Sequence, residues 1–361
     1  MAFHKKLYAC VLIFLFALIS CSDTPLSPEE TDWVTAVILP SRFLSVTGIA
    51  CRDDGAVFVT TGSCFSKVDS AIYKYHRGTL TKDFGVRYDW SFYGISSCRN
   101  VLYAIGSKAT SDGVPGPYIL LNDGSGWREL EFPLANCGGL EEVEAVNDGK
   151  MWVSGSFNYS DGSVPVKYDN GDWTVYEDVN GVTSIAYGPE DGVFYCARAA
   201  RGGDETYKGD LVMTADGGET WVYESINENS KEFEIELDEY TELSAVPGAL
   251  IFNADVTVGG ATFDGVVKRT GPPGAGNYDV LFFSPLAPFF WDIRGHAFKD
   301  VFNGITVGRL TSVVYNSPDW VLEEVTGEDF HFEFITVGPD GYWAVAEDEG
   351  GLGGDALMYH P

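Results

Sequence analysis

The chain has 361 residues, and its 53 acidic and 23 basic side chains give it a formal net charge of −30. An acidic surface of this kind repels the phosphates of nucleic acids, so we expect no nucleic-acid partner. Hydrophobic residues make up 45% of the chain and aromatic residues 14%, which is too much for a disordered acidic chain and indicates a folded core.

The N-terminus predicts export from the cytoplasm. Lys5 and Lys6 precede an apolar run, residues 8–19, which is too short to span a bilayer as a helix. The run ends in the sequence LISC, with the small residue Ser20 directly before Cys21. This ending resembles a bacterial lipobox; an ordinary signal peptide with a chance cysteine is the alternative.

The lipobox resemblance implies a signal peptide at residues 1–20 and a lipidated Cys21 that opens a flexible tether, residues 21–31. The lipid would anchor the mature protein to a membrane. In sorted lipoproteins an aspartate at the second mature position retains the protein at the inner membrane, and Ser22 stands there in this chain. The resemblance therefore implies the outer membrane of a bacterial cell envelope, with the leaflet left open.

Residues 32–361 contain a repeated segment, in which a tryptophan is followed by alternating apolar residues, at spacings of 42 to 57 residues. Such regular recurrence indicates a repeat architecture. Five copies begin at Trp33, Trp127, Trp173, Trp221 and Trp320, and two degenerate copies surround Leu80 and Tyr278.

Tight-turn dipeptides recur with the same period, each before a short apolar strand. Asp-Gly and Asn-Gly supply the positive φ that two-residue hairpins require. They occur at Asp54-Gly55, Asp148-Gly149, Asp191-Gly192, Asn303-Gly304 and Asp340-Gly341, with Arg99-Asn100 and Pro247-Gly248 in the two remaining places.

Each repeat therefore reads as four strands, A to D, with the turn dipeptide between A and B. Seven all-β repeats predict a seven-bladed β-propeller of four-stranded blades. The chain opens on a D-type strand at Trp33 and ends on a C-type strand at residues 355–361, so we expect the N-terminal strand to close the last blade. An eight-unit ring or an open array is the alternative.

The sequence TADGGETW, residues 214–221, falls between strands C and D of the fourth repeat. It resembles the Asp box of sialidases, sortilin-type receptors and photosystem-assembly propellers, and residues 290–325 also resemble a blade of the last group. The resemblance implies a structural turn, on the face away from the catalytic pocket, built from Thr214, Asp216, Gly218 and Trp221.

The resemblance to sialidases does not extend to their catalytic residues. Those enzymes use three arginines, a Tyr–Glu pair and an early Arg-Ile-Pro, and the segment around Arg42 lacks Ile-Pro. Histidine and cysteine spacings predict no metal site; calcium in an acidic loop is the one cofactor left open. Among the cysteines we expect disulfides between Cys51 and Cys98 and between Cys64 and Cys137, with Cys196 unpaired inside a strand.

Ligand contacts are expected on the face formed by the B–C and D–A loops, because these loops are long, variable and aromatic. The candidates are Tyr88, Trp90, Tyr159, Arg198, Arg201, Tyr207 and Trp291. Aromatic side chains can stack on sugars or anchor proteins, and arginines can hold an anionic group. The sequence thus favours a binding or scaffolding module for a glycan or protein partner. A carbohydrate-active hydrolase or lyase, and a purely structural envelope protein, are the alternatives.

Overall fold

The structure is a computed structural model. It describes residues 29–30, 33–39, 45–62, 70–86, 90–109, 115–133, 137–157, 162–190, 192–198, 209–226, 233–237, 240–283, 293–308, 311–316, 319–324, 330–348 and 355–361. Within these ranges, no helix has the length and apolar composition needed to cross a bilayer.

Two short strands come first, β1 (Glu29–Glu30) and β2 (Val34–Ile38). The strands after them fall into seven sets, here called units, of which the third and fourth are joined in one eight-stranded sheet. Unit 1 consists of β3 (Ser45–Cys51), β4 (Val57–Gly62), β5 (Ala71–His76) and β6 (Thr79–Gly85). Unit 2 consists of β7 (Trp90–Cys98), β8 (Val101–Ala109), β9 (Pro115–Asn122) and β10 (Trp127–Leu130). Unit 3 consists of β11 (Cys137–Asn147), β12 (Lys150–Phe157), β13 (Ser163–Asp169) and β14 (Asp172–Val175).

The other four units follow the same order. Unit 4 consists of β15 (Val182–Tyr187), β16 (Phe194–Arg198), β17 (Asp210–Thr214) and β18 (Val222–Ser225). Unit 5 consists of β19 (Glu234–Glu236), β20 (Leu243–Val246), β21 (Ala249–Val258), β22 (Ala261–Thr270) and β23 (Asn277–Phe283). Unit 6 consists of β24 (Ile293–Asp300), β25 (Asn303–Gly308), β26 (Thr311–Asn316) and β27 (Asp319–Glu324). Unit 7 contains β28 (Phe330–Val337), β29 (Tyr342–Asp348) and β30 (Ala356–His360).

Consecutive strands of a unit pair antiparallel, except β19 and β20 of unit 5, and the two ends of the chain meet in unit 7. There β2 pairs antiparallel with β30, with Val34 opposite Tyr359, and supplies the fourth strand. Strand β1, in the segment expected to be a tether, pairs in parallel with β27 on the outside of unit 6. In unit 5, β19 pairs with the same strand as β20 does, namely β21.

The units are arranged in a ring. The innermost strands of neighbouring units, here called the inner strands (β3, β7, β11, β15, β20, β24 and β28), contact one another in cyclic order, and β28 contacts β3. Clusters of buried side chains lie between neighbouring units. One such cluster joins the last unit to the first and contains Val345 and Leu357 of unit 7 with Val57 and Val59 of unit 1. The core of the protein is therefore divided among the junctions between units.

Hydrogen bonds from side chains connect the inner strands of neighbouring units. Ser97 Oγ of unit 2 donates to the carbonyl oxygen of Cys51 in unit 1 at 2.7 Å. The backbone N–H of Ile185 in unit 4 donates to Glu142 Oε2 of unit 3, also at 2.7 Å. The N–H of Leu243 in unit 5 donates to Ser184 Oγ of unit 4 at 3.2 Å. These bonds satisfy backbone groups that a strand at the edge of a sheet would leave without partners.

Three glutamates, Glu142 and Glu144 on β11 and Glu242 directly before β20, have carboxyl groups with raised pKa values. Burial raises the pKa of Glu142 to about 8, of Glu144 to about 7 and of Glu242 to about 8. A hydrogen bond from the Ile185 N–H opposes the shift of Glu142, and the nearby charge of Glu242 adds to it. A protonated carboxyl can still accept a backbone N–H through its carbonyl oxygen. The hydrogen bond from Ile185 to Glu142 therefore persists when Glu142 is protonated.

Tryptophans on or just before the outer strands connect each of their units to the preceding one. Trp127 Nε1 of unit 2 donates to Asp83 Oδ2 of unit 1 at 2.6 Å, and Trp173 Nε1 of unit 3 donates to the carbonyl of Glu131 in unit 2 at 3.1 Å. Trp33 Nε1, just before β2, donates to Ser312 Oγ of unit 6 at 2.9 Å. The repeated tryptophan that marks the sequence is therefore a contact between units.

The turn at residues 214–221 is held by its own side chains. Asp216 Oδ1 accepts the N–H of Thr220 at 2.9 Å, and Thr214 Oγ1 accepts the N–H of Gly218 at 2.9 Å. Gly217 and Gly218 have φ of 75° and 100°, which side chains rarely tolerate. Hydrogen bonds from the side chain and backbone of Thr220 and from Thr214 hold the pKa of Asp216 well below its ordinary value. Trp221 then packs against Tyr176 of unit 3, with ring centroids 5.2 Å apart.

Unit 6 departs from the predicted position of the A–B turn. Asn303 and Gly304, expected to form the turn, lie in β25, where they pair with Asp300 and Phe298. The turn is at Val301 and Phe302 instead, because Asp300 Oδ1 accepts the N–H groups of Phe302 and Asn303 at 2.7 and 2.9 Å. The aspartate side chain thus takes the place of a positive-φ glycine.

The predicted disulfide between Cys51 and Cys98 is absent, since both residues carry free thiols. The residue of unit 2 that faces unit 1 at this level is Ser97, not Cys98. Cys51 packs in the cluster between units 7 and 1, whereas Cys98 packs against the cluster between units 2 and 3. The two side chains therefore point to opposite sides of their strands. Cys137 and Cys196 are also free thiols, and Cys64 lies outside the described residues.

A buried ion pair joins units 4 and 5. Arg269 Nε and Nη2 donate to Glu224 Oε1 and Oε2 at 2.9 and 2.7 Å, and both side chains are 1% exposed. Arg269 also donates to the carbonyl oxygens of Gly271 and Pro272, and the Tyr278 hydroxyl donates to Glu224. Burial opposes the ionisation of Glu224, but the bonds from Arg269 and Tyr278 outweigh it and hold its pKa below the ordinary value.

Replacing Arg269 by methionine is expected to lower the free energy of unfolding by about 3–5 kcal/mol, because it leaves the buried Glu224 carboxylate without its cation. Urea unfolding followed by circular dichroism measures the loss. Lys268→Met is the matched control, since Lys268 contacts Asp279 at 3.4 Å near the surface and should cost less than about 1 kcal/mol. Equal losses in the two variants would contradict the assignment.

The inner-ring carboxyls predict a pH dependence of stability. Their pKa values in the folded protein lie above the ordinary value of 4.5, so their contribution is complete below about pH 4.5 and is lost as the pH rises to about 8. The Glu142→Gln, Glu242→Gln double variant mimics the protonated form. As the pH rises from 5 to 8.5, the free energy of unfolding of the double variant should therefore increase by about 2 kcal/mol or more relative to that of the wild type. Urea unfolding curves at each pH measure this difference. A constant difference between the two proteins would show that these carboxyls titrate normally.

Candidate binding face

Six of the seven inner strands have a β-bulge near their start, so the bulges lie on the same face of the ring. A bulge inserts one extra residue into a strand and changes the direction of its side chain. The six extra residues are here called the mouth: Thr47, Tyr93, Glu141, Thr183, Arg294 and Glu333. The mouth thus contains residues from six units, all on the face of the ring where the inner strands begin.

Aromatic side chains are exposed on this face. Tyr93 is 36% exposed, and its hydroxyl lies 2.6 Å from Ser107 Oγ. Tyr240, just before β20, is 70% exposed. Half-buried Trp90 packs on the Tyr118 ring at 4.9 Å between centroids, and Lys108 Nζ lies 5.2 Å from the centroid of its ring. Exposed rings that are fixed at their base are typical of surfaces that anchor a partner.

A pair of interacting carboxyls lies on the same face, near the start of β28. Glu333 of the mouth forms a hydrogen bond with Glu347 of the neighbouring strand, and burial together with this bond raises the pKa of Glu333 to about 7. The charge of Asp355 adds to the shift, and the exposed Arg294 guanidinium opposes it. The hydrogen bond and burial therefore favour the protonated form of Glu333.

Two of the ligand contacts predicted from the sequence lie among the described residues. Trp90 is on the mouth face as expected. Arg198 is only 7% exposed. Its guanidinium donates to the carbonyl oxygen of Asn180 at 2.7 Å and lies 5.4 Å from the centroid of the Tyr223 ring, so these contacts are made within the protein. Tyr88, Tyr159, Arg201, Tyr207 and Trp291 lie outside the described residues, as does Cys21.

Sequence reasoning missed Tyr93, Tyr240, Arg294 and Glu333, although the bulges leave a visible pattern. Where a strand alternates regularly, apolar residues recur every second position, but at five of the six bulges apolar residues stand three positions apart. The six segments read VTGI, FYGI, LEEV, VTSI, IRGH and FEFI, beginning at residues 46, 92, 140, 182, 293 and 332. The second letter of each is a mouth residue.

The described residues contain no group of three or more His, Cys, Asp or Glu side chains placed to hold a metal ion. What the mouth face offers is a set of exposed rings, one exposed guanidinium and a carboxyl pair, carried by strands that are bonded to one another around the ring. Such a surface can hold a ligand in a defined orientation.

No protein-family model matches the chain, and no curated protein matches it in sequence. Several solved structures have a similar fold. YCF48 bound to D1 peptide is 14% identical, with a TM-score of 0.62 over 92% of this chain and 96% of that one. YCF48 from Cyanidioschyzon merolae is 12% identical, with a TM-score of 0.60 over 91% and 98%. The β-propeller domain of the trilobed protease from Pyrococcus furiosus is 10% identical, with a TM-score of 0.56 over 88% and 95%. These structures confirm the predicted fold class: the chain is an all-β protein with a β-propeller fold.

Proposed function

We propose that this protein is a lipid-anchored, extracytoplasmic binding module that holds a protein partner on its mouth face. The observation that carries the proposal is the pair of exposed tyrosines, Tyr93 and Tyr240, on the face where the inner strands begin. An exposed ring costs little conformational entropy when it docks, and it buries a large apolar area, so tyrosines are frequent anchors at interfaces.

The similarity to YCF48 bound to D1 peptide supports a protein partner, because that solved structure is described as a complex with a peptide. The inner ring supports it as well. Its strands are bonded to one another by Ser97, Glu142 and Ser184, so the rings at the mouth are held in fixed positions before a partner arrives. Preorganisation of this kind lowers the entropic cost of binding.

The carboxyl pair Glu333–Glu347 is the observation that favours a second candidate, a carbohydrate-active hydrolase. Glycosidases place their two carboxyls about 5 Å or more apart, so that the sugar, or the sugar and a water molecule, fits between them. Glu333 and Glu347 are in hydrogen-bond contact instead. Their separation does not match that mechanism, and binding without turnover is the better account of the site.

Anchoring at a membrane is the part of the proposal that rests on the N-terminus. Basic Lys5 and Lys6, the apolar run at residues 8–19 and the LISC sequence ending at Cys21 support export and lipidation. The tether that follows would let the propeller reach a partner at the membrane surface, in the outer membrane of a bacterial envelope.

Binding is tested by affinity capture from an envelope extract with the tagged protein. The Tyr93→Ala, Tyr240→Ala double variant should lose at least about tenfold of the captured partner, because both anchors are removed. Phe302→Ala is the matched control: Phe302 is 60% exposed on the opposite face and its loss should change nothing. Equal capture by all three proteins would refute the mouth as the site, and turnover of a sialoside or polysaccharide by the wild type would refute the non-enzyme proposal.

Lipidation is tested by metabolic labelling with a radioactive or alkyne-bearing fatty acid. The wild type should be labelled and should sediment with membranes, whereas Cys21→Ala should lose the label, since the thiol that carries the diacylglycerol is gone. Ser22→Ala serves as the control, because it leaves that thiol in place. Unchanged labelling of Cys21→Ala would contradict the anchor.

A further inference from the structure

A cavity of about 160 Å³ lies between units 3 and 4, on the face opposite the mouth. Its position follows from its lining: Lys150 directly follows the A–B turn of unit 3, Gly192 belongs to the A–B turn of unit 4, and Gly217 belongs to the turn at residues 214–221. An apolar cavity of about 150 Å³ holds a benzene molecule, so this space suits a ligand with one six-membered ring.

The wall of the cavity is aromatic and rigid. Trp152 is stacked on Phe194 across the junction, with ring centroids 4.0 Å apart and planes 10° apart, and it also contacts Tyr176. Tyr168 and Tyr187 complete the apolar lining. A flat ring can lie against such a wall without rearranging it.

The other wall is cationic, in a protein whose overall charge is −30. Lys150 Nζ lies 2.9 Å from Asp169 Oδ2, and Lys167 Nζ lies 4.0 Å from the same atom and donates to the carbonyl oxygen of Gly217 at 3.0 Å. Two ammonium groups face one carboxylate, which leaves one positive charge uncompensated within this group. Each ammonium has three N–H donors, and these contacts use no more than two of them.

We propose that this cavity binds a small aromatic carboxylate. The carboxylate lies between Lys150 and Lys167 and receives their remaining N–H groups, and the ring lies against Trp152 and Tyr168. The same chemistry is offered by a free acid and by an aromatic residue at the C-terminus of a peptide. The site is independent of the partner proposed for the mouth, because it lies on the other face and shares no residue with it.

Unit 1 has a lysine, Lys74, at the strand position that corresponds to Lys167 of unit 3. Lys167 is paired with Trp152 in the strand register and lies 5.8 Å from the centroid of its ring, and Lys74 of unit 1 has the same relation to Phe58 at 5.7 Å. Lys74 does not line the cavity. It therefore provides a matched control for the loss of a lysine from this strand position.

The test is calorimetric or ligand-observed NMR titration of the full chain with benzoate and with benzamide, its neutral counterpart. Benzoate should bind saturably in the millimolar range, and benzamide at least about tenfold more weakly, because only the anion pairs with the lysines. Lys150→Met and Lys167→Met should each weaken benzoate at least about tenfold, and Lys74→Met should leave it unchanged. Thermal unfolding of each variant verifies that it is folded.

Three results would overturn the proposal. They are the absence of saturable benzoate binding by the wild type, equal affinity for benzoate and benzamide, and loss of benzoate binding in Lys74→Met to the same extent as in Lys167→Met. The comparison of the two ligands uses the wild type alone, so it decides the question even if a lysine variant fails to fold. A peptide ending in phenylalanine, compared with its C-terminal amide, then separates a peptide ligand from a free acid.

Discussion

Apart from β15, which pairs with β13 through Val182 and Ser163, the innermost strand of each unit is the edge of its sheet. The N–H and C=O groups on the open side of such a strand need partners that its own sheet cannot supply. The ring solves this by exchange between neighbours, as when Glu142 accepts the N–H of Ile185 and Ser97 donates to the carbonyl of Cys51. The requirement accounts for polar side chains in the middle of strands that would otherwise be apolar. It also makes each unit depend on the next one, because a unit removed from the ring would expose both an apolar face and an unpaired edge.

The outer part of the ring is joined by different chemistry. Trp127 and Trp173 each reach back to the preceding unit with an indole N–H and a large apolar surface, while units 4 and 5 are joined by the Arg269–Glu224 pair. The ion pair is fully buried and its spare donors and acceptors are used by the backbone of the turn, which is the condition under which a buried pair is tolerated. The apolar clusters between units thus lie between two sets of specific contacts, the hydrogen bonds of the inner strands and the tryptophan and ion-pair contacts of the outer strands.

Much of this architecture could be predicted because the same sequence markers recur in successive repeats and indicate where the strands lie in each one. Trp33 and its later counterparts mark the outer strands, and the dipeptides such as Asp148-Gly149 mark the inner hairpins, so an error in one unit is corrected by the others. Features that occur once could not be predicted in this way. The Cys51–Cys98 prediction failed by a single residue, since a shift of one position in a strand reverses the side on which a side chain lies. Mouth residues such as Glu333 were missed because a bulge alters alternation locally, and the cavity beside Lys167 arises only when two units are packed together.

The pairing of β2 with β30 has a consequence for how the protein reaches its folded state. Val34 and Tyr359 are neighbours in the sheet but lie at opposite ends of the chain, so this contact closes a loop that contains nearly every other residue. Closing so long a loop carries an entropic cost that local hairpins do not have, and folding rates fall as such distant contacts dominate. Six units can form from consecutive segments as these are synthesised, but the seventh must wait for the last strand. Until then the two faces on either side of the gap remain open to water, and folding ends with the event that covers them.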